Sequence, residues 1–269
     1  MKNAADCAVA RPNSVCNRPP ICGAIQSLHR EREFLKRVRI KIENARAAEI
    51  RSALGYHAGM KEKERATYVK RAEKLIRCIL KGKDVPEEDR AVAARWTAMI
   101  FLIEEGLAPF RRHESDLAKQ MYDLASQLPI ASWIDTVRGC DYVQLAMIIG
   151  ETGDLANYSN VSKLWKRLGL MPFNGQMPKQ WAIKGGLTKE EWTKLGYSPR
   201  RRSIMHVCSV SLLMQNDGIF RDRYDQAKAT AAVAHPDWKP CHLHAHALLC
   251  CVKFFVKHLW CHWNSKPVT

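Results

Sequence analysis

The feature that most constrains this chain is a spacing. Through its first half, apolar residues recur at steps of three, four and seven, and nowhere do they alternate as in a strand. From Ala24, residues Leu28, Leu35, Val38, Ile42 and Ala45 share one face. A break at Gly55 to Gly59 leads to a second helix with Val69, Ala72, Ile76 and Ile79 on one side. Asp84, Pro86 and Glu87 open a third, with Val92, Trp96, Met99 and Ile103 as its apolar stripe. Gly106 is expected to end it. Pro109 is expected to lead into a fourth, carrying Leu117, Met121, Leu124 and Leu128, and Pro129 closes that one. The pattern predicts an all-α fold. It excludes a nuclease of the ribonuclease-H type in this half, because that site needs a sheet to hold its carboxylates.

Three regions follow. Residues 1–23 hold Pro12, Pro19 and Pro20 without periodicity and read as a flexible leader. Residues 24–128 read as an amphipathic helical arm, coiled-coil-like. Between Arg30 and Lys81 there are 16 Lys or Arg against 7 Asp or Glu. Such a hairpin is either a pair of solvated helices or an antiparallel arm that dimerises or lies along a polyanion. Residues 129–269 read as a second helical domain.

That domain is organised around Ser132 to Pro172. Val137-Arg138-Gly139-Cys140 interrupts the apolar pattern where a hairpin fits, and Tyr142 to Ile149 supplies an apolar helix. Gly150 and Gly153 mark the next turn. Ser159 is placed to cap a basic helix through Lys163, Trp165, Lys166 and Arg167, closed by Gly169. A glycine between two helices lets backbone N–H groups approach a phosphate closely. The same residues also suit an ordinary helical turn, and at this point both readings stand.

Further on, Lys184-Gly185-Gly186 reads as a mobile basic turn. Thr188 and Glu191 fit a capping box for a short helix to Leu195. Ser198 is placed to cap another helix, with Pro199 at its first position and Arg200, Arg201 and Arg202 in its first turn. Positive charge there opposes the helix dipole, and a bound anion would relieve the conflict. That helix runs through Ile204, Cys208 and Leu212. Phe220, Tyr224, Ala227 and Ala231 mark the next, ended by His235-Pro236. After Pro240 a last helix presents Ala245, Leu248, Val252, Phe255, Leu259 and Trp263.

The 269 residues carry a formal net charge of +16, which favours a polyanionic partner, nucleic acid being the commonest. No apolar run reaches the ~18 residues of a membrane span, and the N-terminus lacks the apolar core of a signal peptide. The chain therefore reads as intracellular and cytoplasmic. The ten cysteines form no C-x-x-C pair and read as free core residues. His242, His246 and Cys250 are spaced by four, as are His258 and His262, which would put zinc-type ligands on one face. One straight helix cannot close a tetrahedron, and no acidic residue lies nearby as general base, so no metal and no cofactor are assigned.

The stretch from Pro129 to Trp260 resembles the C-terminal domain of the IS110/IS116/IS902 family of transposases. The resemblance rests on Arg138-Gly139-Cys140, the apolar helix Leu145 to Gly150 and Gly153-Asp154. It continues through Tyr158-Ser159, the basic run Lys163 to Leu168 and Gly169-Leu170-Met171-Pro172. Gly196 to Leu213 and Asp237-Trp238-Lys239 through Trp260 are similar to the family's later elements. The resemblance implies a helix-hairpin-helix-containing domain, DNA as partner, structured RNA as a further partner class, and a mobile-element context. It also implies a RuvC-like nuclease domain and a serine nucleophile in the turn after Gly-Leu-x-Pro. This chain shows no such nuclease domain, and the corresponding turn reads Ala182-Ile183-Lys184-Gly185-Gly186, without the serine. Ser198 is the remaining candidate nucleophile.

The expected function is DNA binding in a transposase- or recombinase-like context, without autonomous catalysis. The expected phosphate contacts are Arg138, Gly139, Lys163, Lys166, Arg167, Lys184, Gly185, Gly186, Arg200, Arg201 and Arg202, with homo-oligomerisation through the arm. The competing classes are a serine-dependent recombinase subunit served by a nuclease domain in trans, and a helical adaptor that binds no nucleic acid.

Overall fold

The computed structural model describes residues 18–172 and 188–268. Among these residues there are ten α-helices, two single 3₁₀ turns and no strand, so the protein is all-α. The chain divides into two compact units. The first comprises Met1–His29 and Lys119–Thr269, the second Arg30–Ala118. These limits differ from the boundaries expected after residues 23 and 128: the helix Arg18–Ala53 runs on through residue 23, and the limit at Ala118 falls inside the helix Arg90–Ser126.

Helix α1 spans Arg18–Ala53, so it starts before Ala24. Pro19 and Pro20 lie in its first turn, where a missing N–H breaks no helical hydrogen bond. The end of the expected leader is therefore structured, and its Cys22 is buried in the core of the first unit together with Ile25. Helix α2 spans Glu62–Leu80 and α3 spans Arg90–Ser126. In the second unit these segments share a core of Ile50, Ala72, Leu75, Ile76, Ile79, Ala93 and Ile100. The unit is thus a three-helix assembly with its own core, not a bare two-helix arm.

The expected break at Gly106 and Pro109 is absent: α3 is continuous with Pro109 inside it. Proline within a helix costs about 3 kcal/mol through a lost hydrogen bond and a steric clash. Two features offset that cost. Leu107 is buried. Glu104 and Arg111, on either side of Pro109, pair with each other and extend to α1. There Arg46 Nη1 lies 2.9 Å from a Glu104 oxygen and Arg111 Nη2 lies 2.9 Å from Glu43. Arg39 continues the ladder, donating from Nε to Glu114 at 2.7 Å.

The first unit is built on the last helix. Helices α4 (Ala131–Ile134), α5 (Tyr142–Thr152), α6 (Val161–Arg167) and α7 (Lys189–Lys194) precede α8 (Pro199–Met214), α9 (Ile219–Ala234) and α10 (Pro240–Trp263). Helix α10 packs against α6, α8 and α9. It buries Leu248, Cys251, Val252, Phe255, Val256 and Leu259 among others, a continuous apolar stripe at helical spacing. Indole N–H groups tie the α5–α6 segment to it. Trp260 donates to the Tyr158 carbonyl at 3.0 Å, Trp263 to Asp154 Oδ1 at 2.8 Å, and Trp165 to the Lys253 carbonyl at 3.0 Å. Each satisfies a buried polar group while the ring itself fills the core.

Candidate nucleic-acid interface

The hairpin between α4 and α5 forms where Gly139 interrupts the pattern. Asp141 caps α5, its carboxylate accepting from the Gln144 N–H at 2.7 Å. Gly139 has φ +83°, and a Cβ there would lie 2.6 Å from the Ser211 carbonyl oxygen of α8. The glycine is required by a positive φ and by close approach to a neighbouring helix. Phosphate approach is not needed to explain it. Helix α4 is a single turn. Arg138 is exposed and its guanidinium lies 2.5 Å from Asp217, in the turn between α8 and α9.

The basic helix α6 is capped by Asn160, whose side chain accepts from the Lys163 N–H at 3.0 Å, and not by Ser159. Its C-terminal turn closes at Gly169 with φ +73°. Lys163, Lys166 and Arg167 are all exposed on it. Thr188 and Glu191 form the expected capping box at α7. Ser198 occupies the N-cap of α8 with Pro199 after it, but its hydroxyl makes no cap hydrogen bond.

Between α5 and α8 lies a group that no sequence motif marks. Glu151, near the end of α5, is 4 % exposed. One carboxylate oxygen lies 3.0 Å from His29 Nε2 and 2.5 Å from Arg200 Nε; the other lies 3.2 Å from Arg201 Nε. Arg167 Nε donates to the Glu151 carbonyl at 3.3 Å. Burial alone would raise this carboxyl, but hydrogen bonds from His29 and Arg200, with their charges, reverse the sign and hold it at about 2. Room for His29 comes from Gly150, where a Cβ would lie 2.4 Å from the imidazole Cγ. The anion that relieves the opposed dipole of α8 is therefore the protein's own carboxylate.

One carboxylate facing two guanidiniums leaves positive charge over, and their exposures divide their roles. The Arg201 side chain is 15 % exposed and serves as the buried anchor, whereas Arg200 is 45 % exposed and borders solvent. Arg202 donates from Nη1 to the Gly169 carbonyl at 2.7 Å, which fastens the end of α6 to the start of α8. It also lines a pocket of about 190 Å³ with His206, Ser209 and His244 over Leu248 and Val252.

The structure thus brings Arg167, Arg200, Arg201 and Arg202 together beside Lys163 and Lys166. Arg138 and Gly139 lie against the other half of α8, near Ser211, about 15 Å along its axis from Arg201 at 1.5 Å per residue. Lys184, Gly185 and Gly186 lie outside the described residues. The sequence does hold a signal for this face: α6, α8 and α10 contain no Asp or Glu at all. Glu151 is the lone acid of an apolar helix, a cue of the same kind that the motifs and apolar spacing pass over.

The histidines of α10 have separate partners. His244 Nδ1 lies 2.6 Å from the Tyr224 hydroxyl, His246 Nε2 lies 3.5 Å from Cys250 Sγ, and His262 stacks on Trp133. Among the described residues no group of three His, Cys, Asp or Glu is placed to hold a metal ion. Burial pushes the Cys251 thiol up to about 11, so it packs as a neutral side chain.

Comparison of the chain with known protein families, curated proteins and solved structures returned no match. No described helix is long and apolar enough to cross a membrane.

Proposed function

We propose that this protein binds DNA by gripping the phosphate backbone, in a transposase- or recombinase-like setting and without catalysing strand exchange alone. The observation that carries the reading is the acid-free basic face of α6 and the first turn of α8. Six cations, Lys163, Lys166, Arg167, Arg200, Arg201 and Arg202, lie on these two elements, and the one buried carboxylate among them is Glu151. A set of guanidiniums ordered by an internal anion is preorganised for phosphate, because less side-chain freedom is lost on binding. Phosphate contacts position a protein without reading sequence, so the reading predicts affinity with little base preference.

The second unit is the proposed site of self-association. Phe34, Phe101 and Leu102 are 56 %, 48 % and 63 % exposed on it. Large apolar side chains left in water favour a partner surface, here a second copy.

The test is electrophoretic or anisotropy binding of the whole chain to duplex DNA and to a structured RNA of equal length across a salt series. Binding that weakens steeply with salt supports the reading. Equal or tighter binding to RNA moves the partner from DNA to RNA. Salt-independent binding, or none, leaves the helical adaptor.

A further inference from the structure

A second concavity lies away from Glu151, where α6, α9 and α10 meet. Its volume is about 350 Å³, and it is lined by Trp165, Arg223, Cys250, Lys253, Phe254 and Lys257. Two aromatic walls and a thiol make the interior apolar, and the other three lining residues are cations. Two of the cations are held by the walls. The Lys253 ammonium sits 4.6 Å from the centroid of the Trp165 ring, and the Arg223 guanidinium 5.9 Å from that of Phe254. Trp165 is fixed in turn by its indole hydrogen bond to the Lys253 carbonyl at 3.0 Å. Arg223 donates to the neutral Gln226 amide oxygen at 3.0 Å. Among the described residues neither Arg223 nor Lys253 pairs with a carboxylate.

An occupant of this pocket needs a negative charge for the cations and a flat or apolar body for the walls. A nucleotide has both. Bases stack on aromatic rings and on arginine planes, and a phosphate is bound by the lysine and arginine beside them. We propose that the pocket takes one unpaired nucleotide of a bound strand, its phosphate between Arg223 and Lys253 and its base against Trp165 and Phe254. This rests on the nucleic-acid reading above and adds a ligand form to it: a bulged, gapped or overhanging nucleotide in preference to a fully paired duplex.

The experiment uses the whole chain and three probes: a fully paired duplex, the same duplex with one bulged 2-aminopurine nucleotide, and free AMP. The inference expects the bulged duplex to bind at least about five-fold tighter than the paired one. It also expects 2-aminopurine emission to fall on binding, as the base stacks. Arg223→Gln with Lys253→Gln should bring the two duplexes to parity while paired-duplex affinity changes less than about two-fold. Equal binding of both duplexes by the unaltered chain, or a preference that survives the double substitution, overturns the inference and leaves duplex binding standing. AMP bound by the unaltered chain, lost in the double variant and accompanied by no strand binding, overturns the strand assignment and the nucleic-acid reading together. The 2-aminopurine measurement needs no variant, so unchanged emission on a bound bulged duplex overturns the inference even if the double variant fails to fold.

Discussion

A single buried carboxylate holds the first two arginines of α8, Arg200 and Arg201. Removing its charge strands Arg201, which is 15 % exposed, beside Arg167 and Arg200. Glu151→Gln is therefore expected to destabilise the protein by about 3 kcal/mol, the usual cost of breaking one side of a buried pair. Thermal or urea unfolding measures it. The carboxyl is held at about 2, below its ordinary 4.5. A depressed acid contributes its full stability above the unfolded value and loses it as pH falls toward the folded one. The native protein should thus lose stability between about pH 4.5 and about pH 2, and Glu151→Gln should flatten that part of the profile. Gly150→Ala attacks the same cluster sterically, since its Cβ would lie 2.4 Å from the His29 ring. It should lower the melting temperature although alanine favours helix; a rise would show that His29 can move aside freely.

At the scale of elements, most of the pattern was legible. Phe220, Tyr224, Ala227 and Ala231 all prove buried on α9, because a short amphipathic helix packed chiefly against α10 has one inner face. On α10 the stripe from Leu248 to Trp263 holds, while Ala245 is exposed and Ala247 is inside. Helix α3 departs further. Ile100 is buried and Met99 is 47 % exposed, a shift of one position that the apolar spacing, with hydrophobes on both, does not resolve. Its continuity through Pro109 was hidden for a different reason. Local signals report the cost of proline, whereas the pairings of Glu104 and Arg111 to Arg46 and Glu43 join residues 58 and 68 positions apart. If those contacts bridge an intrinsically unfavourable site, Pro109→Ala restores a helical hydrogen bond and should raise stability by about 2 kcal/mol, less than the full proline penalty because the unfolded chain also gains freedom. Chemical denaturation checks this, and a loss of stability would mean that the proline is needed where it stands. The candidate site was legible in part: its cations are consecutive or one turn apart, but their counter-ion Glu151 is assembled with His29 and Arg201 across 122 and 50 residues of chain.

For the whole molecule, the charge of +16 acts through two different arrangements. In the second unit Arg39, Arg46, Arg71 and Arg111 are engaged with carboxylates, so much of its basic content maintains the fold. Exposed Phe101 and Leu102 there predict self-association, and Leu102→Glu should lower the mass measured by light scattering toward that of one chain. On the proposed function, the excess charge of acid-free α6 and α8 in the first unit meets an external anion. The most direct test of that account is the salt dependence of duplex DNA binding by the whole chain, compared with a Lys163→Gln, Lys166→Gln variant. About five phosphate contacts predict a log–log slope of about −4 to −5, and loss of two lysines should reduce its magnitude by about 2. A slope near zero, or one the double substitution leaves unchanged, would contradict phosphate gripping by this face.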